Sequence, residues 1–338
     1  MQKGKMVTSK DIARECGVSQ TTVSYVINNT AGVNISEKTR KLVLETAKRL
    51  NYVPNSAARG MRMKNAGSVG VVVGRDVVNI GFNRVLSGVK QILDEKGISI
   101  TLFQDHKSRE ENIREYISYY RAGRIDGIVF CFYDVGELEM QAMQSAEVPY
   151  VAAGENGVYS EYSEEQDIRH DTIIECVELC KTKGWKDIKF FSFSYGGKIP
   201  SRKYDVFRKN LGIEFPQAHL ERVIIQSDNR TREEIQKELL PLLQADSADL
   251  AVSPNQRMGM FVQSSIMKNN LKLPQSPKHI CLDTSHVLQT VYPSVTSLDI
   301  PLREIGEQAG KQLIMLIKGE KPMQVKFKAS LKLGASTQ

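Results

Sequence analysis

Seven side chains in one eleven-residue stretch carry hydrogen-bonding groups and no charge: Ser19, Gln20, Thr21, Thr22, Ser24, Tyr25 and Asn28, within Val18 to Asn28. Hydroxyl, amide and phenol groups so crowded suit recognition of a polar surface outside the protein, not covalent chemistry. Val23, Val26 and Ile27 recur at helical spacing, so one side of a short helix buries them and leaves Gln20, Thr21, Ser24 and Tyr25 on the other. Upstream, Thr8-Ser9-Lys10-Asp11 has the form of a capping box that opens a first helix and turns Ile12 and Ala13 inward. Gly17 stands where that helix needs a left-handed residue to end, and Ser19 is placed to cap the next one. Two short helices joined by a tight glycine-containing turn are the pattern of a helix-turn-helix. Ser36 then caps a third helix over 37–50, with Thr39, Leu42, Val43, Thr46, Ala47 and Leu50 as its inner stripe.

The charge distribution agrees with that reading. Residues 1–65 hold 12 Lys and Arg against four acidic residues, a net of +8, while the other 273 hold 34 against 35, a net of −1. A basic excess confined to one small unit is the electrostatic footprint of nucleic-acid binding. No run approaches the roughly 20 apolar residues of a membrane span, and no apolar signal-peptide core follows Met1, so a cytoplasmic protein is expected. Five scattered cysteines without a CxxC suit a reducing compartment and no metal site. Cys176 and Cys180, at i, i+4 with His170 nearby, read as buried thiols. No G-x-G-x-x-G, P-loop or G-x-S-x-G occurs, nor paired carboxylates in a motif, so neither an enzyme nor a cofactor is expected.

The string Asp11-Ile12-Ala13, Gly17-Val18-Ser19, Thr22-Val23-Ser24 and Asn28, then Ser36-Glu37-Lys38-Thr39-Arg40, then Asn51-Tyr52-Val53-Pro54-Asn55 with Ala58-Arg59, closely resembles the lactose-repressor (LacI/GalR) family over about 50 residues. The resemblance implies a bacterial transcription regulator whose headpiece (1–53) reads the major groove of a double-stranded DNA operator. A hinge helix (54–66) would enter the minor groove. It carries DNA contacts to Thr8, Ser9, Lys10, Ser19, Gln20, Thr21, Thr22, Ser24, Tyr25, Asn28, Asn55, Ala58, Arg59 and Met61. Two positions depart from the family pattern. Tyr25 stands where an arginine commonly reads guanine, a bidentate contact that tyrosine cannot make, and Met61 replaces the usual leucine wedge.

From Gly67 the chain alternates short apolar strands with amphipathic helices, which implies parallel sheets wrapped by helices. Two such units in tandem are expected to form a two-lobe, periplasmic-binding-protein-like body over 67–338. The first lobe takes about 67–163 and 294–322, the second about 164–293 and 323–338. In this reading strand 295–298 and helix 301–317 return to the first lobe, and a last strand at 323–327 to the second. A ligand would lie in the cleft, at the carboxyl ends of the strands. The resemblance implies a small effector held by Asn79, Phe82, Arg202, Lys203, Asn255 and Asp283. Lys203 replaces the family's arginine, and Ser253-Pro254 stand where an Asn-Asp pair is usual. A sugar or sugar phosphate is the expected effector, with a protein partner such as a phosphocarrier as the alternative. A homodimer is expected on a pseudo-palindromic operator. Trp185 reads as packing.

Overall fold

The computed structural model describes residues 7–27, 30, 32–52, 66–73, 80–104, 108–133, 135–160, 167–244, 248–268, 277–284 and 286–338. The expectations for Asn28, Asn55, Ala58, Arg59, Met61 and Asn79 lie outside these residues. The chain divides into two compact units, 1–67 and 68–338.

In the first unit, helix α1 (Ser9–Cys16) opens on a reciprocal capping box. The Asp11 amide donates to Thr8 Oγ1 at 3.4 Å, and the Thr8 amide donates to Asp11 Oδ2 at 2.9 Å. Gly17 closes it with φ +65°, a conformation that costs a residue with a Cβ. Helix α2 (Gln20–Ile27) follows at once, capped by Ser19 Oγ accepting from the Thr22 amide at 3.0 Å. Helix α3 (Glu37–Arg49) is capped by Ser36, which accepts from the Thr39 amide at 3.2 Å. The three helices share a small core of Ile12, Ala13, Val23, Val26, Val43 and Ala47. Leu42 is not in it. The side chain is 45% exposed, because Val43, Thr46 and Ala47 take the inward arc and leave Leu42 to one side.

The second unit holds two sheets. The first is ordered β2-β1-β3-β4-β5, from strands β1 (Ser68–Val73), β2 (Ser99–Gln104), β3 (Ile128–Cys131), β4 (Tyr150–Gly154) and β5 (Gly157–Tyr159). Its first four strands are parallel, and β5 runs antiparallel to β4. The six residues of β1 are all buried, as a strand covered on both faces requires. Helix α4 (Ile80–Glu95) covers one face, while α5 (Arg109–Arg121) and α6 (Glu137–Ser145) cover the other.

The second sheet is ordered β11-β10-β9-β8-β6-β7. Its strands are β6 (Asp187–Ser194), β7 (His219–Gln226), β8 (Leu250–Ser253), β9 (Lys278–Thr284), β10 (Thr296–Asp299) and β11 (Ser330–Lys332), with only β11 antiparallel. Helices α7 (His170–Lys183), α8 (Arg202–Glu214), α9 (Arg232–Leu242) and α10 (Gln256–Lys268) flank it, and a short α11 (His286–Thr290) precedes β10. Trp185 packs in the core of this lobe with Cys176, Cys180 and Phe207, as packing and not as a platform.

Two expectations are corrected here. The strand expected at 295–298 joins the second sheet, pairing in parallel with β9, so the chain returns to the first lobe only past Asp299. Helix α12 (Leu302–Ile317) does return: Leu302, Ile305, Ala309 and Leu313 enter the first lobe's core. No strand forms at 323–327. That stretch is still crossing, with Phe327 and Ala329 packed on the first lobe, and the chain finds a partner strand only at Ser330–Lys332. Helices α4 and α12 meet at Gly88 and Gly306, where the backbones approach too closely for any side chain.

Candidate DNA-binding face and ligand cleft

On α2, Val23 and Val26 hold the helix to the core, so its opposite side is presented outward. Thr21 is exposed, Tyr25 is 37% exposed, and Thr22 and Ser24 are half-buried. The Gln20 amide donates to Ser9 Oγ at 2.8 Å, which ties the start of α2 to α1 and fixes the direction of the Gln20 side chain. Ser19 and Thr8 are committed as helix caps, and Lys10 is exposed on α1. The described candidates therefore sort into groups that face outward (Lys10, Thr21, Ser24, Tyr25) and groups that hold those in place (Thr8, Ser9, Ser19, Gln20, Thr22). Arginine and lysine elsewhere on this unit supply the charge that phosphates attract.

In the second unit, polar groups converge at the carboxyl ends of β4, β8 and β9, where ligands bind in open α/β sheets. Lys203, in the first turn of α8, is the centre. Its ammonium donates to the Pro254 carbonyl at 2.7 Å and stands 3.7 Å from Glu155 Oε2 and 3.8 Å from Asp283 Oδ1. Asp283 is fixed in turn by the Gln256 amide at 3.1 Å and the Thr284 amide at 3.0 Å. Glu155 hangs from the β4–β5 turn and pairs with the buried guanidinium of Arg169, which also donates to Asn156 Oδ1 at 2.8 Å. Burial pushes the Asp283 carboxyl up to about 6; Lys203 opposes that shift and Glu155 adds to it. Burial also pushes Glu155 up, but Lys203 and Arg169 together outweigh it and hold Glu155 below the usual range.

Of the residues expected in this cleft, the structure brings Lys203 and Asp283 together. Asn255 sits beside them, but its Oδ1 is committed to capping α10 through the Met258 amide at 2.9 Å. Arg202 turns to Asp167 at 3.7 Å instead of Asp283. Phe82 is a correction. It is 3% exposed inside the first lobe's core with Val85 and Val89, because the helical stripe that buries those residues includes it. Glu155 and Arg169 were missed by sequence reasoning. Glu155 had a usable signal, a carboxylate placed directly after a buried strand. Arg169, inside a polar stretch, had none.

Beneath the cleft, His279 is wholly buried. Gln263 donates its amide to the Pro293 carbonyl at 3.2 Å, so its Oε1 accepts from His279 Nδ1 at 3.0 Å. That leaves His279 Nε2 to accept from Ser253 Oγ at 2.9 Å. Burial holds this imidazole neutral, with its pKa pulled down to about 3. A serine and histidine at this distance resemble a nucleophile and base, but neither reaches solvent, so the pair braces β8 against β9. A separate cavity of about 550 Å³ lies where the chain crosses between lobes, lined by Arg84, Asp299, Pro301, Arg303 and Lys328 among others. It does not include the Lys203 cluster.

A helix-turn-helix unit followed by a two-lobe α/β body is the architecture of one class of DNA-binding regulator. Comparison with known proteins makes this specific. Residues 8–55 match the family described as bacterial regulatory proteins, lacI family. Over 341 aligned residues the chain is 26% identical to catabolite control protein A of Priestia megaterium, covering 96% of this chain and 99% of that protein. The fold matches the lac repressor dimer bound to operator and the anti-inducer ONPF, with TM-score 0.76 at 20% identity over 98% of this chain and 99% of that one. It also matches the complex of the transcriptional regulator CelR with cellobiose, with TM-score 0.64 at 20% identity over 98% and 99%. Residues 8–55 thus carry a lacI-family DNA-binding region, and over nearly its whole length the chain is similar to DNA-binding transcription regulators. Among the described residues no helix is long and apolar enough to cross a membrane.

Proposed function

We propose that this chain is a cytoplasmic repressor that binds a pseudo-palindromic operator as a homodimer and answers to a neutral sugar or sugar derivative in the cleft between its lobes. In this reading residues 1–53 form the headpiece, 54–66 the hinge and 67–338 the body. Base contacts come from α2 and its flanks, including Asn28, and hinge contacts from Asn55, Ala58, Arg59 and Met61. The observation that carries the ligand reading is the Glu155–Lys203–Asp283 cluster at the strand ends. A hydroxyl-bearing ligand finds both acceptors and a donor there. The same geometry disfavours a sugar phosphate, since Glu155 and Asp283 already balance the charges of Lys203 and Arg169 and an added phosphate would meet both carboxylates. CelR, with the same fold, is described with cellobiose bound.

Isothermal titration of the full chain with neutral sugars, sugar phosphates and nucleobases tests this, with heat expected from the neutral sugars alone. Sequencing the genomic fragments the protein retains tests the operator. A second reading keeps the operator and replaces the small ligand by a protein such as a phosphocarrier. The likeness to catabolite control protein A over nearly the whole chain favours it, and silence across the titration panel would select it.

A further inference from the structure

Lys203 does not wait in the cleft as a free cation. Its ammonium has three protons and, among the described residues, three acceptors arranged around it: the Pro254 carbonyl, Asp283 and Glu155. Two of these acceptors belong to the second lobe, in the β8–α10 connection and at the end of β9. The third, Glu155, belongs to the first lobe, in the turn between β4 and β5. The acceptors are held independently of the lysine. Asp283 is fixed by two backbone amides, and Glu155 is fixed by Arg169, which stands at the crossover into α7 and is itself buried. The lysine stem is the adjustable member, with its side chain only 16% exposed. Beside this group the Arg202–Asp167 pair, at 3.7 Å, joins α8 to the same crossover.

We propose that Lys203 is an inter-lobe latch, which holds the cleft closed without ligand by bridging Glu155 of the first lobe to Asp283 of the second, with Arg169 as the residue that positions Glu155. The proposal rests on reading this cleft as the ligand site, because it makes ligand and latch competitors for the same two carboxylates. A ligand hydroxyl that donates to Asp283 or Glu155 removes an acceptor from the ammonium. A ligand can shift the lobes only by such a difference in contacts between the two states. The departure at this position then acquires a role. An arginine fork would engage one carboxylate through two parallel bonds, whereas an ammonium is a compact donor that two carboxylates and a carbonyl can share.

The test measures the distance between lobes in the full-length protein. Spin labels are placed on Gln141→Cys in α6 and Lys237→Cys in α9, both exposed, in a Cys16→Ser background. Double electron–electron resonance on the unliganded protein, with labelled chains diluted in a large excess of unlabelled chain so that only distances within one protomer are read, is expected to give one narrow distance. Lys203→Met and, separately, Glu155→Gln are expected to broaden that distribution and move it to longer separations, and combining them should add little to either. Glu155→Asp is expected to restore part of the narrow component. Trp185 fluorescence checks that each variant is folded. Wild-type distributions in both Lys203→Met and Glu155→Gln would overturn the latch. Failure of the ligand reading shows elsewhere, as absence of binding when glucose and cellobiose are titrated into the unlabelled protein.

Discussion

His279 makes the body sensitive to acid, in a pH range where its neighbours can be separated from it. The imidazole is buried as the neutral tautomer between Ser253 and Gln263, with its pKa near 3 against an unfolded value near 6.5. A group with a depressed folded pKa takes up protons preferentially when unfolded, so stability is lost as pH falls below about 6.5. At about 1.4 kcal/mol per pH unit, lowering the pH from 7 to 5 costs roughly 2 kcal/mol, rising toward a ceiling of roughly 5 kcal/mol near pH 3. Asp283 works in the opposite direction. Its folded pKa, near 6, lies above the unfolded value, so its contribution is fully present below about pH 4 and is lost as pH rises through 6. Between pH 7 and 5 it gives back roughly 1 kcal/mol, leaving a net loss of about the same size in the wild type. Asp283→Asn removes that compensation and should expose the full loss of about 2 kcal/mol. Urea titrations at pH 7, 6 and 5, followed by Trp185 fluorescence, read the second lobe directly, since Trp185 packs in its core. His286 also carries a lowered pKa, first through burial and then through Arg84, so the series is run in His286→Gln. A flat profile in the Asp283→Asn protein would refute the buried neutral imidazole.

Three further outcomes are expected. Gly306→Ala should destabilise the first lobe by about 3 kcal/mol, the upper end for overpacking, because the new Cβ would lie 2.0 Å from the Val85 carbonyl oxygen; an unchanged calorimetric midpoint would contradict the close crossing of α4 and α12. Tyr25→Arg should change the preferred base at one position in each half-site by about 1–3 kcal/mol, read by selection and sequencing of bound fragments; an unaltered preference would place Tyr25 against the DNA backbone. Thr8→Ala should cost the headpiece about 1 kcal/mol through the lost cap and weaken operator binding uniformly across sequences; altered base preference would instead make Thr8 a reader.

The headpiece was legible because its signals are local. Thr8 with Asp11, Gly17, Ser19 and Ser36 mark helix ends through bonds to neighbours three or four residues away, and those bonds form as expected. Helical periodicity gave Val23, Val26, Val43 and Ala47, yet it overreached at Leu42, where a small three-helix core has room for a narrow stripe only. Phe82 presents the same issue in the body. The family resemblance implied a ligand role in the cleft, but Phe82 lies on the same helical stripe as Val85 and Val89 and packs with them in the core.

What sequence could not supply is which sheet a strand joins and which distant side chains meet. The stretch Val295-Thr296-Ser297-Leu298 carries no mark of which sheet it joins, and its register with β9 puts it in the second. The cleft is harder still. Lys203 and Asp283 are 80 positions apart, and Glu155 and Arg169 enter from a turn and a crossover whose sequences are merely polar. In the sequence Lys203 stands beside Arg202, a pair of cations that alone would suit a phosphate. The fold sends the two lysine and arginine heads to different carboxylates, Lys203 to Glu155 and Asp283, Arg202 to Asp167. A cation's meaning depends on what already faces it, so the same residues that looked like an anion receptor describe a cleft whose charges are internally satisfied and whose open chemistry is hydrogen bonding.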